Sequence, residues 1–165
     1  MRAATGRAPG ADRWLGFVAV AGFAAVAAAL VSQHWFDMQP CAWCVLQRLI
    51  FIAASLAALL GLAWRGSGGR ITGGALVLFT ACAGMAAALW QHFVAAKSES
   101  CNLTLADRIV AGLGLDASLP DVFQARASCA DAAVKLFGLH YEWWSLALFA
   151  LLIPFLGLGF KPAIV

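Results

Sequence analysis

Charged residues are scarce in this chain. Only 12% of its 165 residues are Asp, Glu, Lys or Arg, about half the share of an ordinary soluble domain, while 63% are hydrophobic. That balance excludes a soluble globular protein. There are only 5 prolines and no polar tract, so the 16 glycines do not mark a disordered or collagen-like chain. No internal repeat and no basic patch suited to nucleic acid is present. The apolar excess must face lipid.

A helix that crosses a bilayer needs about 20 mostly apolar residues. Four stretches qualify: Trp14 to Val31, Val45 to Trp64, Ile71 to Trp90 and Trp143 to Phe160. They leave room for one sizeable loop and for no second domain. Residues 1–165 are therefore read as a single all-α integral membrane domain, a bundle of four transmembrane helices with outer loops at about 32–44 and 91–142. Charge placement sets the orientation. If the N-terminus, the 65–70 link and the C-terminus share one side, Arg2, Arg7, Arg13, Arg65, Arg70 and Lys161 stand against Asp12, a net of +5, and the other side carries a net of −2. The basic side is expected to be cytoplasmic. A cleaved signal peptide is the competing reading of the first stretch, but its apolar core exceeds the roughly 7–15 residues of a signal segment.

Trp14, Trp35, Trp64, Trp90, Trp143 and Trp144 fall at or just beyond the ends of these runs, where an amphipathic ring suits the headgroup region. Within the long outer loop, Thr104 with Asp107, Ser118 with Asp121 and Ser128 with Asp131 fit the helix-start pattern. Leu105, Ile109 and Leu113 then make an apolar stripe that Gly112 and Gly114 should end. The loop is too small for a core of its own, so an amphipathic segment lying on the membrane surface is expected.

The five cysteines are the most informative residues. Cys41 and Cys44 form a C-x-x-C at the outer mouth of the second run, Cys101 and Cys129 bracket the long outer loop, and Cys82 falls mid-span, where it reads as a small buried hydrophobe. Four outer cysteines allow three connectivities. A C-x-x-C spacing permits a local redox disulfide and leaves the loop pair for itself, so Cys41 with Cys44 and Cys101 with Cys129 is the expected arrangement. For the loop pair, a structural staple worth about 2–4 kcal/mol is an equal alternative. A staple across two residues gains little, so the C-x-x-C points to chemistry. Pro40 precedes it and a helix follows, which brings the thiols near a helix N-terminus that favours thiolate. Neither a second C-x-x-C nor a C-x-x-C-H accompanies it, so zinc or attached haem is poorly supported and no metal site is expected.

Arg48 shares a helical face with Cys41 and Cys44. A cation there opposes the helix dipole, so either it snorkels to the headgroups or it serves a partner that becomes negative during reaction. His34, His92 and His140 all fall at outer span ends, which is the wrong place for haem ligands within a bundle.

These residues resemble the disulfide bond formation protein B (DsbB) family, the bacterial inner-membrane thiol oxidases. The resemblance runs through Gln33-His34, Gln39-Pro40-Cys41-Ala42-Trp43-Cys44-Val45-Leu46-Gln47-Arg48, Gln91-His92, Leu119-Pro120-Asp121-Val122-Phe123 and Cys129-Ala130, and covers essentially the whole chain. In the vitamin K epoxide reductase family the loop cysteines precede the C-x-x-C, the reverse of the order here. The resemblance implies a relay: a periplasmic thioredoxin-like oxidase (DsbA-type) is reoxidised by Cys101/Cys129, and the electrons pass through Cys41/Cys44 to a membrane quinone, ubiquinone or menaquinone. Such a relay is already known to hold the bacterial periplasm oxidising, so this assignment is inherited rather than deduced from the residues. It further implies that Cys44 faces the quinone, that Cys41 exchanges with the loop pair, and that Arg48, with His92 as a second candidate, lies on the quinone side. The alternative from another class is a non-enzymatic membrane assembly or chaperone subunit with a stapled loop.

Overall fold

The three apolar runs nearest the N-terminus form long helices. α1 spans Pro9–Trp35, α2 Ala42–Ala63 and α3 Ser67–Phe93, each long and apolar enough to cross a membrane. The computed structural model describes residues 9–64, 66–97, 104–132, 135–136 and 138–153. Cys101, the basic residues Arg2, Arg7, Arg65 and Lys161, and residues 154–160 of the fourth apolar run lie outside the described residues. The described part of that run belongs to helix α7, Tyr141–Leu152.

α2 is the centre of the bundle and packs against both α1 and α3, while α7 lies on α3. Lipid gives apolar side chains no reason to leave it, so helices in a membrane associate through close packing of small residues. Gly61 and Gly73 bring α2 and α3 together: a Cβ on Gly73 would stand 2.7 Å from the Cα of Gly61. Gly84 similarly leaves room for the Phe149 ring, which stacks on Phe51 at 3.9 Å between centroids and joins α7 to α2. Leu15, Val18, Val77, Ala81 and Leu152 complete this core. Phe17, Val20, Phe23, Leu56, Leu60 and Phe79 point outward, as a lipid-facing surface requires.

Two expectations need correction here. Cys82 is exposed, because the buried face of α3 runs through Gly73, Val77, Ala81, Gly84 and Gln91, and Cys82 lies one residue, about 100°, around from it. Trp14 is buried among Leu15 and Val18 rather than exposed, whereas Trp35, Trp64 and Trp90 are exposed as expected. On the same side of the bundle, Arg70 grips the Asp12 carboxylate with bonds of 2.6 and 3.2 Å, so the starts of α1 and α3 share one end.

The segment between α3 and α7 is built from short pieces. After a single 3₁₀ turn at Ala95–Lys97 come helices α4 (Leu105–Gly112), α5 (Leu115–Ser118) and α6 (Pro120–Phe123), then a two-stranded antiparallel hairpin, β1 (Lys135–Leu136) with β2 (Leu139–His140). The hairpin is an addition to the expected helices. α4 begins on a full capping box between Thr104 and Asp107 and ends where Gly114 turns left-handed, at φ 64°. Its Ala106 and Val110 are buried, while Leu105, Ile109 and Leu113 form an outward apolar stripe. Ser118 does not start a helix. Its hydroxyl donates back to the Gly114 carbonyl as α5 ends, and Pro120 takes the first position of α6, which leaves Leu119 at the cap. Ser128 and Asp131 do exchange capping bonds, but only one turn follows.

Candidate functional site

Pro40 cannot continue a helix backwards, and α2 starts immediately after it with Cys41 as its cap. The Cys41 sulfur accepts from the Cys44 backbone N–H at 3.3 Å, and the two sulfurs lie 2.9 Å apart. Cys41 is fully buried, packed with Ala42, Trp43, Leu46, Ala87, Ala106 and Ala132.

The segment between α3 and α7 delivers Cys129 to this spot. The Pro40 carbonyl accepts from the backbone N–H groups of Arg126 and Ala127, at 2.9 and 3.3 Å, which fixes the chain just before Cys129 beside the chain just before Cys41. Cys129 then hydrogen-bonds with Cys41 and receives the Trp43 backbone N–H from the first turn of α2. Those two contacts, the Cys41 one foremost, hold the Cys129 thiol below its ordinary range despite burial. The same pairing with Cys129, then that with Cys44 and burial, push Cys41 well above it. The helix N-terminus thus serves two cysteines: one amide goes to Cys41 and another to Cys129.

Cys44 looks elsewhere. With Arg48, Gln47, Gln39 and Ser32 it lines one end of a cavity of about 580 Å³ between α1, α2 and α7. The remaining walls are apolar, among them Val26, Phe51, Leu148 and Leu151, with Tyr141 and Trp144 entering from α7. Arg48 is buried rather than snorkelling. Its Nη1 donates to Gln33 Oε1 at 2.7 Å and to the Val122 carbonyl at 3.0 Å, and its Nη2 reaches the Ala29 carbonyl at 3.5 Å. Gln33 in turn donates to the Asp121 carbonyl at 3.2 Å. Together they tie α6 to the bundle over the cavity's polar end.

His92 is not among the cavity's lining residues. Its Nδ1 sits 2.8 Å from Oε1 of the buried Glu142, close to His140 and against the Trp143 ring. The donor atoms of His92, His140 and Glu142 all lie within 4.8 Å of one another. Of the residues singled out from sequence, Cys41, Cys44, Cys129 and Arg48 therefore converge, and His92 stands apart.

Four other side chains belong to the site although their type gave little warning. Gln33, Gln47 and Gln91 are all buried, and Tyr141 lines the cavity. The signal available for the glutamines was their cost: a primary amide at the end of an apolar run must be hydrogen-bonded, so it marks a polar partner nearby.

The family model for disulfide bond formation protein DsbB matches residues 11–159, nearly the whole length. The chain belongs to the DsbB family. It is 32% identical over 148 residues to disulfide bond formation protein B 1 of Pseudomonas savastanoi pv. phaseolicola, covering 86% of each chain. Disulfide bond formation protein B of Pseudomonas syringae pv. tomato is 31% identical over 146 residues, again with 86% of each chain covered. The relative from Aromatoleum aromaticum is 31% identical over 130 residues, 76% of this chain and 78% of that one. Its DsbB membership and its apolar helices make this a membrane protein of disulfide bond formation.

Proposed function

We propose that this DsbB-family chain is a quinone-dependent thiol oxidase of the bacterial inner membrane, a bundle of four transmembrane helices whose termini are cytoplasmic and whose redox loops are periplasmic. It reoxidises a periplasmic thioredoxin-like dithiol oxidase of DsbA type and so supports disulfide formation in secreted proteins. One observation carries this reading: the two thiols of the C-x-x-C face different partners, Cys41 toward Cys129 and Cys44 toward the apolar cavity. A structural staple needs no such division.

The electrons follow that geometry. The reduced partner gives its two electrons to the Cys101–Cys129 disulfide by thiol–disulfide exchange. The Cys129 thiolate attacks the Cys41 sulfur: a Cys129–Cys41 bond forms, the Cys41–Cys44 bond breaks, and the electron pair stays on Cys44. Cys101 then displaces Cys41, which restores the loop disulfide and leaves Cys41 and Cys44 reduced. The Trp43 backbone N–H, which does not depend on the state of Cys41, favours the Cys129 thiolate that attacks. The relay needs a final sink, because a DsbA-type oxidant lies near about −120 mV and an ordinary structural disulfide, below about −300 mV, could not reoxidise it.

A quinone fits the cavity. Its volume falls within the roughly 300–1,000 Å³ of small-molecule sites, and its walls suit a lipid-soluble ring and tail. At the polar end Arg48 offers a cation, and the Oε1 of Gln39 is buried with no partner among the described residues. When bound, the quinone accepts two electrons and two protons. Arg48 would hold a quinone oxygen and favour charge developing there, and the apolar walls would exclude water. His92, away from the cavity, is assigned no quinone contact.

The test is quinone reduction by the purified protein in detergent, followed optically, with a reduced thioredoxin-like periplasmic oxidase as donor. Turnover is expected and should vanish in Cys41→Ser and Cys44→Ser with the fold intact. Full turnover in either variant would return the C-x-x-C to a structural role and favour the assembly-subunit reading.

A further inference from the structure

Cys44 has a neighbour that the sulfur relay leaves unused. Gln91, on α3, is 2% exposed, and its Nε2 donates to the Cys44 sulfur over 3.3 Å. Its Oε1 accepts from Gln47 Nε2 at 2.7 Å, and Gln47 is itself buried on α2. Two apolar helices thus spend their amides on one another and on a single sulfur. Gln91 does not line the cavity, so it reaches Cys44 without occupying the space beside it.

The direction of these bonds has a chemical meaning. With the Gln91 carbonyl oxygen taken by Gln47, the nitrogen is the end presented to Cys44. A thiolate only accepts hydrogen bonds, whereas a thiol can also donate. A nitrogen aimed at the sulfur therefore favours the charged form. We propose that Gln91 is a catalytic residue, an uncharged donor that stabilises the Cys44 thiolate, and that Gln47 is the positioning residue holding its amide nitrogen toward the sulfur. The inference rests on the relay reading, in which the electron pair of the broken Cys41–Cys44 bond stays on Cys44. An amide suits this cycle better than a second cation would. When Cys44 returns to the neutral disulfide, no unpaired buried charge is left behind.

The measurement is the pH dependence of Cys44 alkylation by iodoacetamide, read peptide by peptide by mass spectrometry. It uses the full-length, quinone-free, fully reduced Cys41→Ser protein in detergent. Adding Gln91→Leu should raise the midpoint by about one pH unit, a tenfold loss of thiolate at a given pH. Gln47→Leu should raise it by less. The two together should do no more than Gln91→Leu alone, since they act through one bond to sulfur. An unmoved or lowered midpoint in folded Gln91→Leu protein overturns the proposal, and should that variant fail to fold, Gln47→Leu decides by the same criterion. Neither quinone nor donor protein enters this assay, so its failure is distinct from failure of the relay, which quinone turnover reports.

Discussion

The Arg48 Nη1 lies 2.7 Å from Gln33 Oε1, and each of these two side chains also holds a backbone carbonyl of α6, Val122 for Arg48 and Asp121 for Gln33. A buried cation thus joins the cavity to the segment between α3 and α7. Arg48→Ala should raise the apparent KM for quinone about tenfold, in line with roughly 1.5–3 kcal/mol for a hydrogen bond to a charged group. It should also speed amide exchange over residues 119–123. Gln33→Ala should speed that exchange with a smaller change in KM. An unchanged KM in Arg48→Ala would remove the quinone role from Arg48.

Reactivity in the sulfur cluster should follow its hydrogen bonds. Cys129 is held below the ordinary thiol range and Cys41 well above it. As pH rises in the reduced protein, Cys129 should therefore be alkylated before Cys41. Cys41→Ala removes the hydrogen bond that is the foremost cause of the Cys129 shift and should move its alkylation midpoint upward. Mass spectrometry over a pH series reads both effects. Equal midpoints for the two cysteines would contradict the arrangement.

His92 should matter for stability and not for quinone. His92→Ala leaves both oxygens of the buried Glu142 carboxylate without a partner among the described residues, because Oε2 already has none. A loss of about 1–3 kcal/mol is expected, with the quinone KM unchanged. Adding Glu142→Leu should recover part of it. Thermal unfolding in detergent together with steady-state kinetics separates the two roles, and a raised KM with unchanged stability would put His92 back on the quinone side.

The α3–α7 contact depends on an absent side chain. Gly84→Ala would drive a methyl into the Phe149 ring and, through it, disturb the stack on Phe51, which lines the cavity. Overpacking of this kind costs about 1–3 kcal/mol. Gly84→Ala should melt several degrees lower, and Gly84→Ala with Phe149→Leu should recover part of the loss. A melt unchanged by Gly84→Ala would show that α7 shifts freely.

Much of this was legible in the residues, for identifiable reasons. Apolar runs of this length had to become helices, because lipid allows only helices and closed barrels and a barrel strand needs only about 9–11 residues. α1 nevertheless extends from Pro9 to Trp35, beyond the run from Trp14 to Val31, since a helix continues into the headgroups where polarity no longer marks it. The Thr104–Asp107 box was readable because its two bonds are local. Ser118 misled because the same hydroxyl can bond backward, and only the position of Pro120 decided between the two. The family resemblance implied that Cys41 exchanges with the loop pair, but how the chain brings Cys129 to it was not readable. It depends on main-chain bonds to Pro40, and those carry no side-chain signature. Gln47 and Gln91 were visible, but their pairing across two helices was not.

The bonds from Arg126 and Ala127 to Pro40 use no side-chain atom. The address that brings the loop cysteine to the helix cap is thus written in the peptide backbone, while the Arg126 side chain turns to Asp121 and Ala127 packs against the cluster around Cys41. A substitution at 126 can therefore alter the exposed surface and leave both main-chain bonds to Pro40 in place.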